Sequence, residues 1–169
     1  MLRFRNPGTE YSTQIQVIRQ LYNNLPDRNC FSLDDMAQVI AQNKLMTAYG
    51  YSGERALELS NTDQESLNSA KMNVKMYAEV FRMLGWVTPF KPDCSYPLSF
   101  TYLGAHIALT EGDVSALYEQ CVLGINTPTQ LTSHMTYNEV TRFFKCALRT
   151  MIDLDGIMYK HELCIGPMS

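Results

Sequence analysis

A regular apolar stripe in the middle of the chain is the feature that most limits the folds available to it. Apolar residues recur there at alternating steps of three and four, which places their side chains on one face of an α-helix. The stripe consists of Leu67, Ala70, Val74, Tyr77, Phe81 and Leu84. Gly85 follows directly, and glycine accepts the left-handed conformation that commonly ends a helix. The sequence therefore predicts a long amphipathic helix over residues 64–84 that packs against a core.

Two shorter helices are predicted before this stripe. Residues 13–23 carry apolar residues at helical spacing, and Ser12 or Thr13 can cap their first turn. Ser32 precedes Asp35 by three residues, an order close to a capping box, and this indicates the start of a second helix. A short helical segment is expected at residues 54–59. The first half of the chain is therefore typical of a helical fold.

The pattern changes after Gly85. Residues 86–90 and 98–100 are typical of two short strands joined by a proline-punctuated loop. Helices are predicted at residues 102–109, capped by Thr101, and up to about residue 123, capped by Asp113. The last helix follows a capping box that begins at Thr136, and Leu148 is predicted to belong to its buried side. The predicted fold class is mainly α: a winged helix-turn-helix with a small two-stranded β-hairpin and additional C-terminal helices.

Three segments follow from these elements. Residues 1–12 are predicted to form an N-terminal arm, residues 13–124 a winged-helix domain, and residues 125–169 a helical extension. Residues 152–163 look like the opening of a second helix-turn-helix unit, so we expect the chain to be the N-terminal part of a longer protein.

Composition excludes several classes of protein. The chain of 169 residues is 46% hydrophobic and 18% charged, which fits a packed core and argues against disorder. No stretch approaches the length of apolar sequence that crosses a membrane, and the N-terminus does not resemble a signal peptide, so a cytoplasmic location is expected. The five cysteines are scattered, which favours free thiols. The net charge of −3 is unusual for a protein that binds nucleic acid, so binding would need a local basic face.

The polar side of the central helix could provide this local basic surface. A helix fits the major groove of DNA, where Asn, Lys and Arg side chains reach base edges or phosphates. Residues 64–91 contain four basic and two acidic residues, a local excess of positive charge in an acidic chain. The candidate residues are Asn68, Ser69, Lys71, Asn73, Lys75 and Arg82. The same residues also fit the ordinary solvent-facing side of a surface helix, and this alternative stays open.

Further basic residues are candidates for contact with the DNA backbone. Lys91 lies in the predicted wing loop, where it could touch a phosphate. Arg3 and Arg5 could form an arm into the minor groove. Arg142 and Lys145 belong, with Arg149, to a second basic row that could follow a phosphate backbone. For each of these residues the alternative is a solvated charge without a ligand.

Two stretches of the chain resemble a known family. Residues 81–87 and 96–108 are similar to the helix, wing and following helix of DNA-recognition regions in type II restriction endonucleases. The similarity covers about residues 30–110 and consists of residue types and their spacing. It implies sequence-specific binding of double-stranded DNA in a prokaryotic restriction–modification system, with cleavage supplied by a domain outside this chain. By position on the helix, it implies the reading role for Asn68, Lys71, Asn73 and Lys75.

The catalytic residues of such a nuclease are missing from the sequence. A restriction-type magnesium centre needs an acidic residue two positions before a lysine, and no lysine here has one, although Pro92-Asp93 is present. His161 and Cys164 have the spacing of zinc ligands but lack a second pair. We therefore expect no catalytic residues, no cofactor and no metal, and this chain alone is not expected to be an enzyme.

The expected partners are double-stranded DNA together with a nuclease domain or a second copy of the chain, and no membrane. Two other functions stay open. A winged-helix domain that binds proteins without binding DNA fits the acidic net charge and the many tyrosines. A small enzyme with a site that the sequence does not mark is the third.

Overall fold

The structure is a computed structural model that describes residues 10–48, 50–62, 70–88, 97–125 and 142–157. The described chain is mainly helical and divides into two compact units, unit 1 (Met1–Gly112) and unit 2 (Asp113–Ser169). The predicted domain boundary lay twelve residues later, after residue 124.

The elements of unit 1 are two helices, a short hairpin, two more helices, a second hairpin and a final helix. In order they are α1 (Tyr11–Asn24), α2 (Leu33–Gln42), β1 (Thr47–Ala48), β2 (Tyr51–Ser52), α3 (Glu54–Thr62), α4 (Ala70–Met83), β3 (Val87–Thr88), β4 (Ser99–Phe100) and α5 (Tyr102–Leu109). Unit 2 contains α6 (Ser115–Gly124) and α7 (Phe143–Asp153).

The two N-terminal helices begin differently. In α2 the predicted capping box is confirmed: the Asp35 N–H donates to Ser32 Oγ at 3.1 Å, and the Ser32 N–H donates to Asp35 Oδ2 at 2.7 Å. In α1 the predicted cap at Ser12 or Thr13 is wrong, because the helix already begins at Tyr11 after Glu10, which makes no side-chain cap bond. Ser12 and Thr13 therefore lie inside the first turn.

The apolar stripe of α4 is confirmed over its described residues. Ala70, Val74, Tyr77 and Phe81 are at most 1% exposed, and Leu84 is 5% exposed. Gly85 follows with φ +76°, as the predicted helix end requires. The part of the prediction over residues 64–69 lies outside the described residues. Helix α4 packs directly against α2, although β1, β2 and α3 intervene in the sequence.

The predicted two-stranded hairpin is present. Strands β3 and β4 are antiparallel, with Val87 opposite Phe100 and Thr88 opposite Ser99. A single-residue bridge between Phe31 and Leu98 extends this pairing, through N–H donations of 2.9 and 2.7 Å in the two directions. The segment between α1 and α2 is thereby tied to the hairpin.

Helix α5 begins as predicted, at the Thr101 cap. Thr101 Oγ1 accepts from the Gly104 N–H at 2.9 Å and donates to the Gly85 carbonyl at 2.7 Å. A Cβ atom added at Gly104 would overlap the Trp86 carbonyl oxygen and lie 2.8 Å from its carbonyl carbon. Only glycine therefore allows α5 to approach the backbone at Trp86 this closely.

In unit 2, α6 and α7 pack against each other. Asp113 was predicted to cap α6, and its side chain does accept from the Ser115 N–H at 2.9 Å, but the N-cap position is Val114, which makes no side-chain cap bond. The predicted burial of Leu148 in α7 is wrong, because this residue is 41% exposed. The Thr136 capping box lies outside the described residues.

None of the described helices is both long and apolar enough to cross a membrane.

Candidate nucleic-acid interface

The first half of α4 carries the described residues of the predicted DNA-reading face. Lys75 is exposed, and Lys71 and Asn73 are half-buried. With about 100° between successive residues of a helix, Lys71 and Lys75 lie on one flank of the buried stripe and Asn73 on the other. The structure therefore brings the two lysines together and separates Asn73 from them.

Methionines lie between these two flanks. Met72 and Met76 occupy the side of α4 opposite the buried stripe, and both are half-buried. The outer side of α4 is therefore not purely polar in its described part. Apolar side chains in a groove contact the methyl group of thymine, whereas lysines contact guanine or phosphate.

Asp34 places a negative charge next to this face. Lys71 Nζ lies 3.5 Å from Asp34 Oδ1, and the side chain of Asp34 is 76% exposed. An exposed ion pair contributes only about 0–1 kcal/mol to stability, so it does not fix Lys71 in place. It does offset the charge of one lysine, and Glu79, four residues after Lys75 on the same side of α4, offsets the charge of the other. Asp34 was not among the predicted residues. The capping box accounts for the neighbouring Asp35, and nothing local in the sequence indicates that Asp34 pairs with Lys71.

The prediction that Arg82 belongs to the exposed face is wrong. Arg82 lies in the same row as the two lysines, but it is only 8% exposed, and its Nε atom is buried without a hydrogen-bond partner. Its position explains part of this arrangement, because Arg82 sits in the last turn of α4, where a cation is favoured by the helix dipole. Arg82 therefore contributes to the inside of unit 1 and does not face a groove.

Five of the predicted contact residues lie outside the described residues: Asn68, Ser69, Lys91, Arg3 and Arg5.

The second basic row belongs to unit 2. Arg142 and Lys145 are exposed, and Arg149 is exposed one turn further along α7. The apolar residues Leu148 and Ile152, which are 41% and 65% exposed, lie beside this row. A row of cations next to exposed aliphatic side chains is less suited to a phosphate backbone than a purely polar row.

Within the described residues, no group of three or more His, Cys, Asp or Glu side chains could hold a metal ion. Cys30, Cys121 and Cys146 are free thiols.

Comparison of the chain with models of protein families, with curated proteins and with solved structures gives no match.

Proposed function

We propose that unit 1 is a winged-helix module that binds double-stranded DNA in a sequence-specific way, with α4 in the major groove and the β3–β4 connection as the wing. Following the similarity to type II restriction endonucleases, the module would serve recognition, and cleavage would come from a domain outside this chain. The order of elements carries the proposal: α1, the Phe31 bridge, α2, α4 and then a hairpin paired to Phe31. This is the order in which winged-helix proteins present one helix and one loop to DNA.

The segment between α2 and α4 departs from the simplest form of this motif. Helix-turn-helix motifs usually join the two helices by a turn of about three to four residues. Here β1, β2 and α3 lie between them, yet α2 and α4 still pack directly against each other. The insertion therefore leaves the helix pair of the motif in contact.

The charge of the surface sets the expected strength of binding. A protein that neutralises few phosphates shows a weak dependence of affinity on salt, with a logarithmic slope of about −0.9 for each phosphate contact. Lys71 and Lys75 are the described basic residues of the α4 face, and Asp34 lies beside Lys71. We therefore expect modest non-specific affinity, with base contacts supplying a large share of the specific binding.

A titration of labelled random-sequence duplex DNA at several salt concentrations tests the proposal. The double variant Lys71→Gln with Lys75→Gln should bind more weakly, and the magnitude of its salt slope should fall by about 2, one for each lost phosphate contact. The matched control, Lys44→Gln with Arg55→Gln, removes the same charge from exposed positions off α4 and should retain the wild-type slope. Equal losses in both double variants, or no duplex binding by the wild type at low salt, would exclude α4 as the reading helix.

Asp34→Asn provides a test with the opposite sign. The substitution removes the negative charge beside Lys71 while leaving the Ser32–Asp35 capping box in place. We expect affinity for duplex DNA to rise in the same titration, because Lys71 loses a competing partner. Unchanged or weaker binding by Asp34→Asn would indicate that Lys71 does not contact DNA.

A protein-interaction domain with the same fold is the second candidate. The exposed Leu148 and Ile152 on α7, together with the net charge of −3, favour it. Exposed aliphatic side chains of this kind commonly mark surfaces that bind other proteins. Absence of duplex binding at low salt, combined with a defined complex in light scattering, would favour this function over the first.

A further inference from the structure

Arg28, in the segment between α1 and α2, is an exposed residue whose side chain makes two contacts that fix its position. Its Nε atom donates to the Tyr22 carbonyl at 2.7 Å. The central carbon of its guanidinium lies 4.4 Å from the centroid of the Tyr22 ring. Holding an exposed arginine in one conformation costs rotamer entropy. The hydrogen bond and the contact with the aromatic face together offset that cost.

The ring beneath Arg28 is itself held by the core of unit 1. The Tyr22 ring meets the Phe100 ring edge-on, with centroids 5.1 Å apart and an interplanar angle of 85°. Phe100 in turn packs on Phe31, which is 2% exposed, with ring centroids 5.5 Å apart. The backbone of Arg28 is also fixed, because its carbonyl accepts from the Phe100 N–H at 2.9 Å. The guanidinium is therefore positioned by the folded unit before any ligand binds.

Arg28 forms no ion pair within the described part of the chain. The carboxylate next to it in sequence, that of Asp27, accepts from the Asn29 N–H at 2.8 Å. Because the Nε atom of Arg28 is used in the bond to Tyr22, its two terminal amino groups carry the remaining donors. A planar guanidinium presents such donors in the geometry of two oxygens of one anion. Arg28 therefore suits a ligand with two acceptor oxygens.

The segment that carries Arg28 runs along the outer side of the β3–β4 hairpin. Arg28 is hydrogen-bonded to Phe100, and three residues later Phe31 pairs with Leu98. On its other side, Phe100 lies opposite Val87 of β3. Residues 28–31 are therefore a third extended segment beside β4, in the sheet whose connection is the wing of the proposed function.

We propose that Arg28 binds a phosphodiester group of duplex DNA, as a contact from outside α4. This inference rests on the proposed function, which places DNA against α4 and the wing. Contacts with phosphates fix the register of a protein on the duplex without reading its sequence. On the α4 face, Asp34 and Glu79 offset the charges of the two lysines, so an acidic chain needs phosphate contacts from other elements.

The fixed position of Arg28 bears directly on affinity. A side chain that is ordered on folding loses less conformational freedom on binding than a mobile one. We therefore expect both the charge of Arg28 and the ring that holds it to contribute to binding. These two contributions can be separated, because a change of charge alters the salt dependence of the affinity and a loss of ordering does not.

The charge is tested by titrating labelled random-sequence duplex DNA with the full chain at several salt concentrations. Arg28→Gln should weaken binding about fivefold at low salt through the loss of a charge-assisted hydrogen bond, and its logarithmic salt slope should fall in magnitude by about 1. Arg28→Lys keeps the charge but loses the paired donors, so it should keep the slope and bind less tightly than the wild type. The matched control is Arg55→Gln, which removes an exposed arginine from α3 and should match the wild type.

The ring is tested in the same titration by two substitutions of Tyr22. Tyr22→Leu removes the aromatic face under the guanidinium, so affinity should fall while the salt slope stays the same. Tyr22→Phe keeps the ring and should bind like the wild type. Circular dichroism checks that each variant keeps the helix content of the wild type.

The outcomes separate this inference from the proposed function. Wild-type affinity and slope in Arg28→Gln, or an equal loss in Arg55→Gln, overturn the phosphate contact and leave the α4 proposal standing. A slope that falls in Arg28→Gln but not in the double variant of Lys71 and Lys75 supports the phosphate contact and excludes α4 as the reading helix. A wild type that does not bind duplex DNA at low salt overturns both.

Discussion

Unit 1 buries its apolar side chains far more completely than the described part of unit 2. In unit 1, Trp86, Tyr77, Phe31 and Phe81 are at most 2% exposed. In unit 2, the described residues 113–125 and 142–157 include buried residues only at the two ends of α6, whereas several large apolar side chains of α7 and the turn after it are exposed.

Among the elements that the structure describes, α4 has more packing partners than α7. Helix α4 packs against α2, α3 and β3, so its apolar stripe is covered along its length. Helix α7 packs against α6, and Ile152 on its surface stays 65% exposed. Both helices are amphipathic in sequence. An amphipathic pattern therefore identifies the face that can be buried, but the elements around it determine whether that face is covered.

The largest expected difference in stability is between two variants that shorten an isoleucine to alanine, one in each unit. Ile18 in α1 is 0% exposed, so Ile18→Ala leaves a cavity and should lower the free energy of unfolding by about 3 kcal/mol. Ile152→Ala in α7 removes an exposed side chain and should change it by less than about 0.5 kcal/mol. Urea unfolding measures both.

The single tryptophan, Trp86, lies in unit 1 and is fully buried, so its fluorescence follows the unfolding of that unit. Circular dichroism follows the helices of both units. A large loss of stability in Ile152→Ala by either signal would show that the α7 surface is covered in solution and would remove the contrast between the units.

Replacing a glycine by alanine should lower stability in unit 1 but not in unit 2. Gly104→Ala forces a Cβ into the backbone at Trp86 and should cost about 2 kcal/mol, because backbone cannot move aside cheaply. Gly124→Ala at the end of α6 meets no atom within 4 Å. It should be neutral or stabilise unit 2 by up to about 1 kcal/mol, since alanine has the higher helix propensity.

Thermal unfolding followed by circular dichroism compares these two variants with the wild type. If Gly104→Ala unfolds at the wild-type temperature, the close contact between α5 and Trp86 is not present in solution.

The helix caps give the smallest of these contrasts. Ser32→Ala removes the capping box of α2 and should cost about 1 kcal/mol. Arg142 occupies the same N-cap position in α7 but makes no side-chain cap bond, so Arg142→Ala should have almost no effect on stability. Urea unfolding by circular dichroism distinguishes the two, and equal effects would mean that the Ser32–Asp35 bonds contribute little.

Local signals in the sequence predicted much of unit 1. The Ser32–Asp35 box, the Thr101 cap and Gly85 each mark a helix end through the conformation or hydrogen bond of one or two residues. Such features depend on residues close in sequence, so they can be predicted without knowing the fold. The stripe of α4 was predicted for the same reason.

The features that the sequence did not predict depend on contacts between distant residues. The buried Ser60 hydroxyl joins α3 to the start of α4, donating to the Ala56 carbonyl at 2.7 Å and accepting from the Ala70 N–H at 2.6 Å. At the candidate site, Lys75 is exposed as predicted, whereas the ion pair of Lys71 and the burial of Arg82 depend on neighbouring elements. Helical spacing alone cannot distinguish an exposed cation from a buried one in the same row.

The bridge between Phe31 and Leu98 also has a consequence for how the chain folds. Its partners are far apart in sequence, and closing a long loop before its contacts form slows folding. During synthesis, α1 and α2 leave the ribosome well before Leu98, so the segment between them has no strand to pair with until most of unit 1 has been made. We therefore expect the order of events to be helices first and this pairing last.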